Sequence, residues 1–311
     1  MIKVKEVNFK TENFSLLEIA EGVYAAIEKG DNTGSNAGFI DLGNYTVVFD
    51  TFLNIDASRE LMEASEQFTG RKASFVINSH SHTDHIVGNS LFPASTVVIS
   101  SKKVREMIEF TGSAFEKEKD EYKPRIIEVE GLLNTVLDDR ELKNLNNELN
   151  FLRNLVKPGV KIRVPDLTFE SEVVIHGSKR SLKLVQCDIA HSPGDLWGYI
   201  PEEKICFAGD LLFADYQPWF GSGNPEKLIE TLEELLKYDI ECIVPGHGRL
   251  STKEDILLQI QYLKEMLHLV EGKKSNNLED YSVEELSPVF RQWRGLCFHW
   301  NIRYLINRIN K

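Results

Sequence analysis

The stretch Ser74-Phe75-Val76-Ile77-Asn78-Ser79-His80-Ser81-His82-Thr83-Asp84-His85 starts as a short β-rich run and ends as a dense cluster of ligand-type side chains. In extended backbone, positions i and i+2 point the same way, so His80 and His82 would reach one metal ion together. A turn after them would swing Asp84 and His85 to a second position nearby. Imidazole nitrogens and carboxylate oxygens bind zinc at about 2.0–2.2 Å, so such a cluster is suited to hold it. The chain has only eight histidines, and three of them fall between His80 and His85.

Two further histidines follow the same pattern. His191 comes after a predicted strand over Leu182–Asp188, in Ala190-His191-Ser192-Pro193-Gly194-Asp195. His247 comes after a predicted strand over Ile240–Val244, in Pro245-Gly246-His247-Gly248. Between them, an apolar strand over Lys204–Ala208 is expected to end in Gly209-Asp210. Polar side chains where strands run out are typical of ligand sites in open α/β layers, and flanking glycines let the backbone approach closely. Tyr216, Trp219 and Phe220 follow Asp210 and read either as core packing of a long loop or as a wall of a substrate pocket. His176, His268 and His299 read as structural or surface residues.

Composition narrows the class. With 311 residues, 42% hydrophobic and 27% charged, the chain has the profile of a soluble globular protein with ample material for a core. Acids outnumber bases 48 to 36, for a net charge of -12. That balance argues against a sequence-independent grip on nucleic acid and offers no polybasic element for an anionic membrane. The first residues, Met1 to Val7, lack the apolar run of a secretory signal, and no stretch approaches the roughly 18 apolar residues of a membrane span. A cytoplasmic location is expected. The four cysteines, Cys187, Cys206, Cys242 and Cys297, are far apart and form no C-x-x-C pair, which speaks for buried thiols rather than a disulfide scaffold.

Along the chain, Gly22–Glu28, Ala37–Leu42 and Tyr45–Asp50 read as strands. Asp56 is the expected N-cap of a helix running to about Phe68, with a turn at Gly70. Strands follow over Ser74–Ser79 and Thr96–Ser100. The segment from about Lys102 to Lys161 reads as a helical insertion able to shape or cover a site. Within it, leucines at 142, 145, 149, 152 and 155 keep to one helical stripe, and Glu116–Glu121 reads as a solvated face. β-rich text resumes at Glu172–His176, Leu182–Asp188, Trp197–Pro201 and Lys204–Ala208. A helix is predicted over Pro225–Tyr238 and more helices from about 252 to 311, including Thr252–Val270 and Leu296–Ile309. The expectation is an α/β (α+β) layered fold in a single domain over 1–311.

Taken together, His80-x-His82-x-Asp84-His85, His191, Gly209-Asp210 and Pro245-Gly246-His247-Gly248 resemble the metallo-β-lactamase superfamily. The resemblance covers nearly all of the chain from about Glu21, including Ser35–Ile40 and Val47–Thr51 as its opening strands. It implies a four-layered αββα sandwich with two divalent metal ions at one edge, Zn2+ by preference, with Fe or Mn as alternatives. His80, His82 and His191 resemble the ligands of the first metal, and Asp84, His85 and His247 those of the second. Asp210 matches a bridging carboxylate. Asp50 resembles the acid that orients a metal-bound histidine.

The implied enzyme is a dinuclear metallohydrolase in which a metal-bound hydroxide cleaves a small ester, lactone, thioester or amide, with Asp84 as a catalytic residue handling the nucleophile's proton. Tyr216 and Trp219 would border the substrate. An iron-dependent oxygenase or a phosphodiesterase on the same fold is the alternative. A true β-lactamase is disfavoured, because those enzymes usually carry Cys or Ser where this chain has Asp210. Glyoxalase II-type enzymes typically have a second histidine where this chain has Asp195. The implied partner is a small molecule rather than nucleic acid or membrane, and self-association is compatible with it.

Overall fold

The computed structural model describes residues 4–30, 33–136, 138–295 and 297–310. Eight strands form the first sheet in chain order: β1 (Lys5–Glu6), β2 (Phe14–Ala20), β3 (Val23–Glu28), β4 (Ala37–Asp41), β5 (Thr46–Phe49), β6 (Phe75–Ile77), β7 (Val97–Ser101) and β8 (Leu167–Phe169). Pairing is antiparallel from β1 to β5 and parallel from β5 to β8. The second sheet holds β9 (Glu172–His176), β10 (Ser181–Gln186), β11 (Leu196–Ile200), β12 (Ile205–Phe213) and β13 (Cys242–His247), ordered β13-β12-β11-β10-β9. Its β12–β13 pair is parallel.

Alternation along the strands decides what each face buries. In β5, Val47 and Phe49 point toward the second sheet, whereas Val48 points to the opposite face. In β12, Ile205 and Phe207 point to the first sheet, and Cys206 and Ala208 point away. The two inner faces form one apolar core, with the Phe49 and Phe207 rings 5.3 Å apart across it. Helix α1 (Ile55–Thr69) lays Ala57, Leu61 and Ala64 on the outer face of the first sheet. On the outer face of the second sheet lie α5 (Pro225–Leu235) and α6 (Lys253–Lys273), joined by the short α7 (Pro288–Arg291) and by α8 (Cys297–Ile309). The layers are therefore helix, sheet, sheet, helix, as expected.

Helix α2 (Thr83–Ile86) is a single turn beside the site. The insertion is a hairpin of α3 (Lys102–Leu133) and α4 (Asp139–Leu155). Leu145, Leu149 and Leu152 of the predicted stripe pack with Val129 of α3, while Leu155 joins Leu53, Ile55 and Val87 beneath the hairpin. Glu116–Asp120 is exposed, as a solvated face should be. Arg125 grips Glu148 through two hydrogen bonds of 2.7 and 3.2 Å between the two helices.

Several boundaries differ from expectation. The cap of α1 is Asn54, whose side chain accepts from Asp56 N at 3.0 Å; Asp56 sits in the first turn and meets Lys157 instead. β1, β2 and β8 were not foreseen, because β2 lies in text punctuated by Glu and β8 has three residues. β12 does not end before Gly209-Asp210 but continues to Phe213, with irregular register against β13 after Phe207. The predicted start of the last helix, Leu296, lies outside the described residues. No helix among the described residues is long and apolar enough to cross a membrane.

Phe207 is 1% exposed at the centre of the inter-sheet core. Phe207→Ala should lower the unfolding free energy by about 3–5 kcal/mol, read from the denaturation midpoint.

Candidate metal centre

β6 ends at Ile77, and the chain runs through Asn78 and bends from Ser79 to Ser81 on its way to His82, so His80 and His82 converge across a bend rather than along extended chain. His82 is itself extended, at φ -70 and ψ 145, before α2 turns Asp84 and His85 to another side. His191 comes from the loop between β10 and β11, Asp210 from the middle of β12, and His247 from the last position of β13. Seven side chains distant in sequence thus meet at one end of the sandwich, in two groups.

In the first group, His82 Nδ1 lies 2.9 Å from His80 Nε2 and 3.0 Å from His191 Nε2. Asp210 Oδ2 lies 3.3 Å from His191 Nε2 and 3.7 Å from His80 Nε2. In the second group, Asp84 Oδ2 is 3.5 Å from His85 Nε2 and 3.6 Å from His247 Nε2. Asp210 Oδ1 faces this group, 3.1 Å from His85 Nε2 and 3.3 Å from His247 Nε2. Each oxygen of Asp210 therefore belongs to a different group.

These residues fit a pair of metal ions. Donors around a tetrahedral centre at about 2.1 Å sit roughly 3.4 Å apart, close to the separations here. His85 Nε2 and Asp210 Oδ1 are buried without a hydrogen-bond partner, although they face each other. A buried polar atom left so is costly unless something charged or polar is meant to meet it.

Charge balance points the same way. Burial pushes His191 down to about 3, against the Asp210 carboxylate. Burial also takes His80 well below the ordinary imidazole value, helped by the charge of His85, and lowers His82. These three are neutral donors. His85 and His247 behave oppositely: burial disfavours their charge, but Asp210 and Asp84 outweigh it and raise both. Burial would raise the carboxyls of Asp84 and Asp210, yet the facing imidazoles hold both below the usual carboxylate value. The two carboxylates held ionised there supply the negative charge that a cation would meet.

Asp50 fixes the geometry from behind. Its Oδ2 accepts from His85 Nδ1 at 2.8 Å and from Ser79 Oγ at 2.7 Å, and its Oδ1 accepts from Ser79 N at 2.8 Å. Ser79 Oγ in turn lies 2.9 Å from His80 Nδ1. One carboxylate thus turns the far nitrogen of two histidines inward. Its backbone is left-handed, at φ 56, a conformation of the kind that carries strain for non-glycine residues. Gly246 permits the close passage of β13, since a Cβ there would stand 1.9 Å from Asp210 Oδ1. Gly209, at φ 52, makes the irregularity in β12 that aims Asp210 inward.

Sequence reasoning missed Ser79, which adjacency to His80 could have suggested. It also missed Ser222, whose Oγ lies 3.2 Å from His82 Nε2 and for which the sequence holds no signal. Asp195 points at its own loop: it accepts from Ser192 N at 2.8 Å and braces the turn bearing His191. Burial raises this carboxyl to about 7, against its bonds from Ser192.

A cavity of about 460 Å³ opens on both groups, lined by His82, Asp84, His191, Asp210 and His247. Tyr216 and Trp219 line it as well, with the Trp219 ring 5.2 Å from His82. Phe220 does not; it is fully buried in the core under the second sheet. Phe213 stacks on His247 at 4.8 Å and 9°. Thr111 brings the insertion to the rim, and no Lys or Arg among the described residues lines this cavity. His176 and His268 are exposed, and neither they nor His299 join the two groups.

The sequence matches the family model of the metallo-beta-lactamase superfamily over residues 30–247, and the chain belongs to that superfamily. Among solved structures it resembles the metallo-β-lactamase TMB-1, with a TM-score of 0.57 at 16% identity, over 82% of this chain and 98% of that one. It also resembles a variant of the sec-alkyl sulfatase PisA1, with a TM-score of 0.65 at 15% identity, over 94% of this chain and 50% of that one. A curated relative, the mitochondrial L-2-hydroxyglutarate dehydrogenase of Dictyostelium discoideum, is 31% identical over 115 residues. That match takes in 34% of this chain and only 25% of the dehydrogenase.

Asp50→Asn removes one acceptor from the pair that orients His85 and His80. Metal affinity should fall about 10–100-fold, measured by competition against a chromophoric chelator.

Proposed function

We propose that the chain is a dinuclear metallohydrolase acting on a small ester, lactone, thioester or amide. The observation that carries this reading is the split carboxylate of Asp210, one oxygen toward each histidine group. Two divalent cations held there would polarise a scissile carbonyl and bring the pKa of a water toward about 7.

The chain's own residues supply the rest. His80, His82 and His191 would hold one ion with neutral imidazoles, and Asp84, His85 and His247 the other. Asp84 is 25% exposed against 5% for Asp210, so it is the carboxylate a substrate meets. Its free lone pairs would orient the attacking water, take its proton and pass that proton to the leaving group. Trp219 and Tyr216 would flank the substrate and displace water. A cavity of about 460 Å³ with no Lys or Arg among its described lining residues favours an uncharged reacting group over a phosphodiester. The net charge of -12 also disfavours nucleic acid as a partner.

Chelated protein should lose turnover of generic ester and thioester substrates and regain it with Zn2+ or Mn2+. His82→Ala and Asp84→Ala should each cost at least about 100-fold in kcat, an effect of the size seen when one charge-stabilising group is removed. Stoichiometric iron together with substrate-dependent oxygen consumption would overturn the hydrolase reading, and an unchanged rate in both variants would overturn the site.

A further inference from the structure

A second cavity, of about 440 Å³, adjoins the first and shares Asp84, Tyr216, His247 and Gly295 with it. Its far wall is one face of α4, bearing Lys143, Asn147, Asn150 and Phe151. Those positions are spaced i, i+4, i+7 and i+8, which is one helical stripe. It is not the stripe that holds α4 to α3, which uses Leu145, Leu149 and Leu152. The insertion therefore has one face for its own stability and another turned to this space.

Among the described residues, two cations border the cavity: Lys143 and Arg294. Among the described residues neither makes an ion pair, although the chain carries an excess of acids and most of its arginines are matched. Arg294 is held in place. Its guanidinium lies 4.4 Å above the Tyr216 ring, Arg294 N donates to Asp215 O at 2.8 Å, and Arg294 O accepts from Gln217 N at 2.7 Å. A cation seated on an aromatic ring at a cavity wall, with no partner for its fork of donors among the described residues, is suited to bind a carboxylate. Glu28 and Asp84 share the lining, so the cavity's charge suits a single negative charge better than a phosphate's two.

We propose that the second cavity is a subsite for an anionic arm of the substrate, a carboxylate read by Arg294 and Lys143 while the reacting carbonyl sits at the metal centre. The proposal rests on the hydrolase reading and narrows it to carboxylate-bearing acyl compounds. Phe151 and Tyr216 would pack along the methylenes between the two ends, with the Asn147 amide beside the carboxylate.

Two esters with the same leaving group test it: 4-nitrophenyl butyrate and mono-4-nitrophenyl glutarate, turned over by the metal-loaded protein. The expected result is a higher kcat/KM for the glutarate ester. In Arg294→Gln and Lys143→Gln the ratio between the two esters should fall about tenfold, the loss of one charge-assisted contact. The same variants should erase the affinity advantage of glutarate over butyrate measured by calorimetry, a readout independent of turnover. A ratio near one in the unmodified protein, or one unmoved by either variant, would overturn the subsite while leaving the hydrolase reading intact. Hydrolysis of neither ester, together with a calorimetric preference for glutarate that both variants abolish, would support the subsite and count against the hydrolase.

Discussion

The centre depends on a single buried carboxylate that does not face it. Asp50 gathers the Ser79 amide, the Ser79 hydroxyl and the His85 ring, and through Ser79 it also reaches His80. Histidines packed nitrogen to nitrogen repel unless something fixes which nitrogen carries the hydrogen. By holding the outer nitrogen of His85 and, through Ser79, that of His80, Asp50 turns their Nε2 atoms toward the centre. Its left-handed backbone is tied in turn: Asp50 N donates to Ile77 O at 2.8 Å and Thr51 N to His85 O at 2.9 Å. The end of β5 and the histidine loop after β6 are in this way one unit.

The sandwich exists to hold such a unit steady. Its inner faces are apolar from Val47 to Val244, so polar groups are confined to the rim where strands end. There the chain brings together residues from the segment after β6, from β12 and β13 and from the β10–β11 loop without opening the core. The aromatic side chains divide accordingly, with Phe207 and Phe220 filling interior volume and Trp219 and Tyr216 bordering the cavity.

Much of this was legible in the sequence, for identifiable reasons. The spacing of His80, His82, Asp84 and His85 signals the ligand cluster itself, although the backbone bends from Ser79 to Ser81 where extended chain was expected. The leucine stripe of α4 likewise reports a helical period. Ser222 was invisible, since its approach to His82 depends on the path of a loop 140 residues away. The cap falls at Asn54, whose Oδ1 accepts from both Asp56 N and Lys157 Nζ, while Asp56 lies in the first turn and pairs with Arg59 and Lys157. The continuation of β12 through Asp210 was hidden because Gly209 reads as a strand breaker, whereas here it makes the irregularity in register.

That irregularity has a mechanical consequence. Asp210 stands three positions beyond Phe207 on a strand whose register against β13 shifts on both sides of Gly209, so the carboxylate shared by both groups is borne by a strand rather than by a loop. Its two oxygens cannot drift with a loop, and their separation from the histidines is governed by sheet packing. The spacing at the centre would stay set by the interior until the sheets themselves part.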